Sequence, residues 1–125
     1  MARVLALVPD LLFGSRVQGS LTAAGDEVEL LGDAPALRER LSAAEAPRAQ
    51  VLIVDLTNAQ LDGAALHESL VANRLLDGVK TLAFYSHVDV HTGERAREAG
   101  FDLVVPRSRM AREGPQLVAR LAGDG

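Results

Sequence analysis

Four short runs made almost entirely of apolar residues constrain the fold of this chain more than any other feature of its sequence. A strand that is apolar at successive positions is buried on both sides, as is typical of a parallel sheet covered by helices on both faces. A fifth run alternates charged with apolar residues and predicts a half-exposed strand at a sheet edge. The apolar runs are VLALV at 4–8, VLIV at 51–54, TLAFY at 81–85 and LVV at 103–105, and the alternating run is EVELL at 27–31.

Apolar residues between these runs recur at helical spacing and predict five helices. The first is expected to end before Gly25, where a left-handed residue belongs, and Pro115 is expected to kink the last helix or to delay its start. The apolar face of the first helix holds Phe13, Val17, Leu21 and Ala24, and that of the third holds Leu66, Leu70, Asn73 and Leu76. The remaining bounds are Pro35 to about Glu45, Asp62 to Asp77, Thr92 to Ala99, and about Arg109 to Leu121.

Strand and helix alternate five times with short connections, which predicts an α/β fold with a doubly wound, five-stranded parallel sheet and five helices. The half-exposed second strand suits an edge, and this favours the flavodoxin-like strand order 2-1-3-4-5. We expect one domain over residues 1–125, with no attached effector domain. In this order strands one and three are neighbours, and the crevice at their carboxyl ends is the default place for a ligand or for chemistry.

Composition excludes several kinds of site. The chain has no cysteine, so disulfides, thiolate nucleophiles and cysteine-based metal sites are ruled out. A net charge of -4 gives no general attraction to nucleic acid or to anionic lipid, and no apolar run is long enough to span a membrane, so we expect a cytoplasmic protein. His67, His87 and His91 share no metal-ligand spacing and are interpreted as polar surface. Gly14 and Gly19 do not form a dinucleotide-binding or P-loop motif.

Polar residues follow three of the predicted strands at the edge where the crevice is expected. Asp10 follows strand one, Asp55 ends strand three and Ser86 follows strand four. A helix N-terminus comes after each strand, and its backbone N–H groups favour an anion held above the sheet edge. Asp55 could also be only the polar end of a buried strand or a cap for helix three.

The segment DLTNAQLDG at 55–63 resembles the stretch after the phosphoacceptor in response-regulator receiver domains, in which an acidic residue or Asn and then Gly follow the acceptor at the same spacing. The resemblance extends over essentially the whole chain. Ser86 stands where the family has Ser or Thr, and EAGFD at 98–102 stands where the family has an Ala-Gly-Ala-Asp-like turn. The chain is therefore similar to a chemotaxis-regulator-like receiver.

This resemblance implies roles for individual residues. Asp55 would be the nucleophile that accepts a phosphoryl group from a phosphohistidine of a partner kinase, and the Ser86 hydroxyl would bind a phosphoryl oxygen. Asp10, Asp55 and the backbone carbonyl of Thr57 would hold Mg²⁺. Mg²⁺ prefers an octahedron of oxygens and keeps several waters, so two carboxylates and one carbonyl would bind it weakly. No other cofactor is implied.

The sequence departs from the family pattern at several positions. Pro9 replaces one of two adjacent acids after strand one, and Val105 replaces the lysine that precedes Pro106. The nearest cations are Arg107 and Arg109, and we expect one of them to lean toward the crevice as a permanent positive partner. This basic stretch is also consistent with a contact for an acidic partner and with a solvated start of helix five. The family's aromatic switch residue is Leu103, and its Met-Pro pair is Asn58-Ala59.

We interpret the chain as a degenerate receiver, or pseudo-receiver. It would not be an enzyme but a signalling module that binds a histidine kinase or another signalling protein in a two-component, phosphorelay-type pathway. The face formed by helix four, strand five and helix five is the expected contact surface, for a partner or for a homodimer. Two alternatives stay open: an orthodox Mg²⁺-dependent phosphoacceptor modified at Asp55, and a flavodoxin-like domain that binds a small anionic ligand.

Overall fold

The structure is a computed structural model that describes residues 2–43 and 48–123. It contains one sheet of five parallel strands in the order β2-β1-β3-β4-β5, with five helices, so the predicted fold class and strand order are confirmed. The strands are β1 (Arg3–Leu7), β2 (Glu27–Leu31), β3 (Val51–Asp55), β4 (Lys80–Tyr85) and β5 (Leu103–Pro106). The helices are α1 (Leu11–Ala23), α2 (Ala34–Ser42), α3 (Gly63–Ala72), α4 (Val90–Glu98) and α5 (Arg107–Ala122). None of the helices in these ranges is long and apolar enough to cross a membrane.

Alternating side chains of each central strand supply two separate cores, one on each face of the sheet. Ile53 of β3 packs in the core that contains α1 and α5, whereas its neighbours Leu52 and Val54 pack in the core under α2, α3 and α4. All five residues of β3 are buried, as its unbroken apolar pattern predicts. The edge strand β2 is half-buried over most of its length, in agreement with its alternating sequence.

Aspartates begin four of the five helices. Each accepts a backbone N–H of the first helical turn through its side chain and so satisfies a donor that has no partner within the helix. The capping residues are Asp10, Asp33, Asp62 and Asp89. α5 begins after Pro106, which makes no side-chain cap.

Several helix limits and faces differ from the sequence prediction. α3 ends at Ala72 and not near Asp77, because the chain turns at Arg74, which has a φ of 60°, and the Leu75 N–H donates back to Leu70 O. Asn73 is consequently an exposed cap, although Leu76 is buried as expected. Ala24 lies past the end of α1 and is exposed, so it is not part of the apolar face.

The last helix begins earlier than predicted, at Arg107, and it does bend near its internal proline. Glu113 leaves helical geometry with φ -123° and ψ 15°, just before Gly114 and Pro115. A proline ring clashes with helical backbone in the preceding turn, and this accounts for the bend. The predicted end of α2 at Glu45 lies outside the described residues.

The interpretation of His67 as polar surface is wrong, since the side chain is only 3% exposed. Its Nδ1–H donates to Ala99 O at 2.9 Å, which leaves Nε2 to accept from the Thr81 hydroxyl at 3.1 Å. Its ring packs 4.0 Å from the ring of Phe101, measured between centroids. Burial lowers the pKa of His67, against the opposing hydrogen bond to Ala99 and the charge of Asp102. The position of His67 in the sequence, three residues before Leu70 on the same face of α3, was the indication of this burial.

The close approach of α3 to β3 explains the Asp62-Gly63 pair without any catalytic role. Asp62 caps α3, and a Cβ on Gly63 would overlap the Leu56 side chain and lie 3.0 Å from Val54 Cγ1. A residue with a side chain therefore cannot occupy position 63 unless its neighbours move.

Replacing Gly63 with alanine should lower the free energy of unfolding by about 1 kcal/mol, because the added methyl would displace the end of the Leu56 side chain and press on buried Val54. Gly19→Ala is the matched control. A Cβ there meets no atom within 4 Å, and alanine is better than glycine in a helix by about 0.5–1 kcal/mol. Urea denaturation measures both variants, and equal stability changes in the two would contradict the packing argument.

The lowered pKa of His67 predicts a pH-dependent stability. The unfolded chain binds a proton at His67 below about 6.5, whereas the folded protein keeps the ring neutral until a lower pH. The free energy of unfolding should therefore fall as the pH is lowered through that interval, and it should level off below the folded pKa. Denaturation at a series of pH values should show a smaller slope in His67→Gln. The control His91→Gln removes an exposed histidine and should keep the slope of the wild type.

Candidate functional site

The parallel pairing of β1 with β3 brings the predicted site residues to one edge of the sheet. Leu7 of β1 lies opposite Val54 of β3, so the segments that follow both strands emerge side by side. Asp55 is the last residue of β3, Asp10 is the cap that begins α1, and Ser86 directly follows β4. The crevice is thus where the strand order places it.

The carboxylate of Asp55 is buried, and one of its oxygens accepts hydrogen bonds from a residue two positions further along the chain. Asp55 is 1% exposed. Its Oδ1 accepts the Thr57 backbone N–H at 2.7 Å and the Thr57 hydroxyl at 2.6 Å. Both hydrogen bonds go to Oδ1, and two short bonds to one oxygen hold the carboxylate in a fixed position.

Asp10 is also engaged, on both of its oxygens. Oδ1 accepts the backbone N–H groups of Leu12 at 3.0 Å and Phe13 at 3.2 Å, as the cap of α1. Oδ2 lies 3.6 Å from a guanidinium nitrogen of Arg107. The guanidinium carbon of Arg107 also sits 4.2 Å from the centroid of the Phe13 ring, a distance suited to a cation–π contact.

Of the two arginines considered from the sequence, only Arg107 reaches the crevice. Arg109 instead lies 3.5 Å from Glu113, one turn further along α5. Lys80, the one lysine of the chain, starts β4 and therefore lies at the opposite edge of the sheet. Arg107 thus supplies the positive charge beside Asp10.

A cavity of about 450 Å³ lies above the carboxyl edge of the sheet. Its charged wall residues are both arginines, and three of its side chains carry hydroxyl groups. The sequence analysis did not place Arg16, His87 and Ser108 at the crevice. Arg16 lies three residues after Phe13 on α1, and this spacing indicates that the two residues share a face of the helix. The lining consists of Phe13, Arg16, Thr57, Ser86, His87, Arg107, Ser108 and Ala111.

These residues are a poor fit for Mg²⁺. Within residues 2–43 and 48–123, no three His, Cys, Asp or Glu side chains come together in a way that could hold a metal ion. Asp10 accepts backbone N–H groups on one oxygen and lies beside Arg107 on the other, and Oδ1 of Asp55 is hydrogen-bonded to Thr57. Mg²⁺ can be held by one or two carboxylates together with water, but a guanidinium stands beside one of these two acids and would compete with the ion.

Comparison with known proteins identifies the fold. No protein-family model matches the sequence, and no curated protein matches it significantly. The chemotaxis response regulator CheY4 of Vibrio cholerae superposes with a TM-score of 0.79 at 20% identity, over 97% of this chain and 98% of that one. The phosphorylated cyanobacterial phytochrome response regulator RcpA gives 0.81 at 11% identity, over 99% and 96%. The Mn²⁺-bound form of response regulator Rcp1 gives 0.78 at 16% identity, over 95% and 93%. The chain therefore has the fold of response-regulator receiver domains.

Proposed function

We propose that this protein is a degenerate receiver, a non-enzymatic cytoplasmic signalling module of a phosphorelay-type pathway that acts by binding protein partners. The observation that carries the proposal is that residues of the protein itself contact both acids of the crevice. Arg107 lies beside Asp10, and the Thr57 N–H and hydroxyl donate to Asp55, the two acids that would hold a metal ion and accept a phosphoryl group in an active receiver.

The charges at the crevice support the proposal that the protein acts without a bound metal ion. Asp10 and Arg107 are both about half exposed, so their ion pair adds little to folding stability. Its effect is local, because it places a permanent positive charge where a divalent cation would have to enter. A metal ion at Asp10 would meet repulsion from the guanidinium or would have to displace it.

The environment of Asp55 argues against efficient phosphotransfer. Phosphoryl transfer depends on an accessible nucleophile in line with the leaving group and on neutralisation of the transferring oxygens. Asp55 is nearly inaccessible, and its Oδ1 is hydrogen-bonded to Thr57. Val105 is fully buried and apolar at the position where a lysine would neutralise the phosphoryl group in the family that the sequence resembles.

Two exposed leucines support binding of a partner near the crevice. Leu11 and Leu12 form the first turn of α1 and are 80% and 81% exposed. Adjacent exposed leucines are costly in water and commonly mark a contact with another molecule. Arg16 and Arg107 lie on the same side of the molecule, so an amphipathic segment with acidic residues is the best complement.

The face formed by α4, β5 and α5 is the second proposed contact surface, for a partner or for a second copy of the chain. β5 is an edge strand of only four residues. Val90 at the start of α4 is 57% exposed, and the exposed face of α4 carries both Glu98 and Arg97. Mixed charges on one helix can pair across a two-fold axis, because each copy offers both signs.

Incubation with acetyl phosphate and millimolar Mg²⁺ should leave the intact mass of the protein unchanged, because Asp55 is covered and the crevice lacks a metal site. Mass spectrometry of the wild type and of Asp55→Asn measures this directly. A phosphoryl adduct on the wild type that is absent from the variant would establish the orthodox phosphoacceptor and reject the degenerate one.

A variant with a restored metal site tests the same proposal through metal binding. Pro9→Asp combined with Arg107→Ala adds a carboxylate and removes the competing cation. Mg²⁺ should raise the melting temperature of this variant and not that of the wild type, since only the variant has free acidic ligands. Arg112→Ala in place of Arg107→Ala controls for loss of an arginine elsewhere on α5.

If the α4–β5–α5 face pairs two copies, Arg97→Glu should weaken self-association by about tenfold, the effect expected when an interfacial attraction becomes a repulsion. Sedimentation velocity over a range of concentrations measures the change. Glu39→Lys reverses a charge on α2 at the other edge of the sheet and should have no effect. A wild type that stays monomeric at every concentration would reject the homodimer and leave the face to a different partner.

A further inference from the structure

We infer that His67, Thr81 and Asp102 form a proton-operated link between α3 and the turn that joins α4 to β5. In this link, one proton taken up by His67 redirects the Thr81 hydroxyl from His67 to the carboxylate of Asp102. The inference goes beyond the proposed signalling role, because it assigns a pH-sensitive device to the core beneath α3 and α4. It rests on that role only for its consequence at the α4–β5–α5 face.

One buried imidazole ring connects three elements that are far apart in the chain. His67 of α3 contacts the Ala99 carbonyl at the C-terminal end of α4 through Nδ1, at 2.9 Å, and the Thr81 hydroxyl of β4 through Nε2, at 3.1 Å. The ring of Phe101, in the turn after α4, packs 4.0 Å away between centroids. The placement of α4 against β4 therefore depends in part on this ring.

The Ala99 carbonyl determines which nitrogen of His67 titrates. A carbonyl oxygen only accepts hydrogen bonds, so Nδ1 carries a hydrogen in both the neutral and the charged ring. The neutral ring consequently has a bare Nε2. A proton from solvent is added at Nε2, the atom that faces Thr81.

In the neutral state the Thr81 hydroxyl is committed to α3. It donates its one hydrogen to Nε2 of His67, and its oxygen accepts the Asp102 backbone N–H at 3.1 Å. The Asp102 carboxylate in turn accepts the Thr81 backbone N–H at 2.8 Å. Thr81 and Asp102 are thus joined by two hydrogen bonds that both use a backbone N–H.

The charged state needs no movement of atoms other than hydrogen. Protonated Nε2 of His67 donates to the Thr81 oxygen, which has two acceptor sites and keeps the Asp102 N–H as well. The hydroxyl hydrogen then turns to Oδ2 of Asp102, which already lies 3.3 Å from the Thr81 oxygen. Each of these donors still has an acceptor, and the carboxylate gains a charge-assisted hydrogen bond.

Two carboxylates favour the charged ring, and burial opposes it. Burial lowers the pKa of His67, whereas the hydrogen bond to Ala99 and the charges of Asp102 and Glu68 act in the opposite direction. The proton therefore binds on the acidic side of the ordinary histidine range. Asp102 shares the Thr81 hydroxyl with the ring, so it is the acid that hydrogen bonds connect to His67.

The other charged groups on the elements around His67 are directed elsewhere. Glu68 is exposed on α3, and Arg95 of α4 lies 2.8 Å from it and offsets its charge. Glu98 of α4 is exposed to water. Lys80 precedes Thr81 on β4, so its side chain points to the opposite face of the sheet. Asp102 remains the charged group on which the link depends.

A proton at His67 acts on the turn that leads into β5. Residues 99–102 run from the end of α4 to the residue before β5, and both elements belong to the face proposed for a partner or a second copy. When the Asp102 carboxylate gains the Thr81 hydroxyl, it holds this turn more firmly to β4. The α4–β5–α5 face therefore becomes sensitive to pH.

Nuclear magnetic resonance of the ¹⁵N-labelled free protein, recorded from about pH 8 down to about pH 4, tests the link. At the alkaline end, the imidazole ring of His67 should carry its hydrogen on Nδ1 and none on Nε2. The amide signals of Thr81 and Asp102 should shift with the same midpoint as the ring, while the spectrum stays that of a folded protein. A hydrogen on Nε2 at the alkaline end, unfolding before the ring titrates, or amide signals that do not follow its midpoint would overturn the inference.

Two variants separate the parts of the link. Asp102→Asn removes the charge and keeps an oxygen for the Thr81 N–H, so the midpoint of His67 should move to lower pH. Thr81→Val removes the hydroxyl at similar side-chain volume, so the Asp102 amide should no longer follow the titration of His67. His91→Gln, which removes an exposed histidine, is the control and should leave the midpoint and the coupled shifts unchanged.

An unchanged or raised midpoint in Asp102→Asn would contradict the link even if Thr81→Val does not fold. The measurements use the free protein, so their failure would leave the proposed binding of a partner at the face untouched. Conversely, a protein that binds no partner there would still show the coupled titration.

Discussion

Burial of the sheet on both faces is the constraint on which the rest of this structure depends. A parallel strand such as β3 has no side that meets water, so its polar residue can stand only at its end. Asp10 and Ser86 likewise come after β1 and β4 have ended. Because the strands run in one direction, their carboxyl ends lie along one edge of the sheet, and Asp10, Asp55 and Ser86 all follow or end strands at that edge. The position of the candidate site is thus a consequence of the hydrophobic effect acting on the sheet.

Structural demands account for much of the resemblance to receivers at this edge. Asp10 and Asp62 each satisfy the first turn of a helix, and Gly63 lets α3 approach β3. These requirements exist whether or not Asp55 is ever phosphorylated. The departures from the family pattern, at Pro9 and Val105, are the basis of the proposal that this receiver is degenerate.

Arg107 connects the crevice with the surface that we propose for partner binding. It lies beside Asp10, an acid that a metal ion would need, and over the ring of Phe13. Leu11 and Leu12 follow Asp10 at the start of α1, so a partner docked there would lie next to the crevice.

The sequence by itself determined the five strands, the edge position of β2 and the acids that follow the strands, because these depend on local periodicity and on burial of whole segments. The tertiary structure decided the burial of His67, the capture of Asp55 by Thr57, and the choice of Arg107 over Arg109. Each of these outcomes depends on ångström-scale distances between elements that are far apart in the chain or on a single side-chain rotamer. Hydrophobic patterning carries no information at that scale.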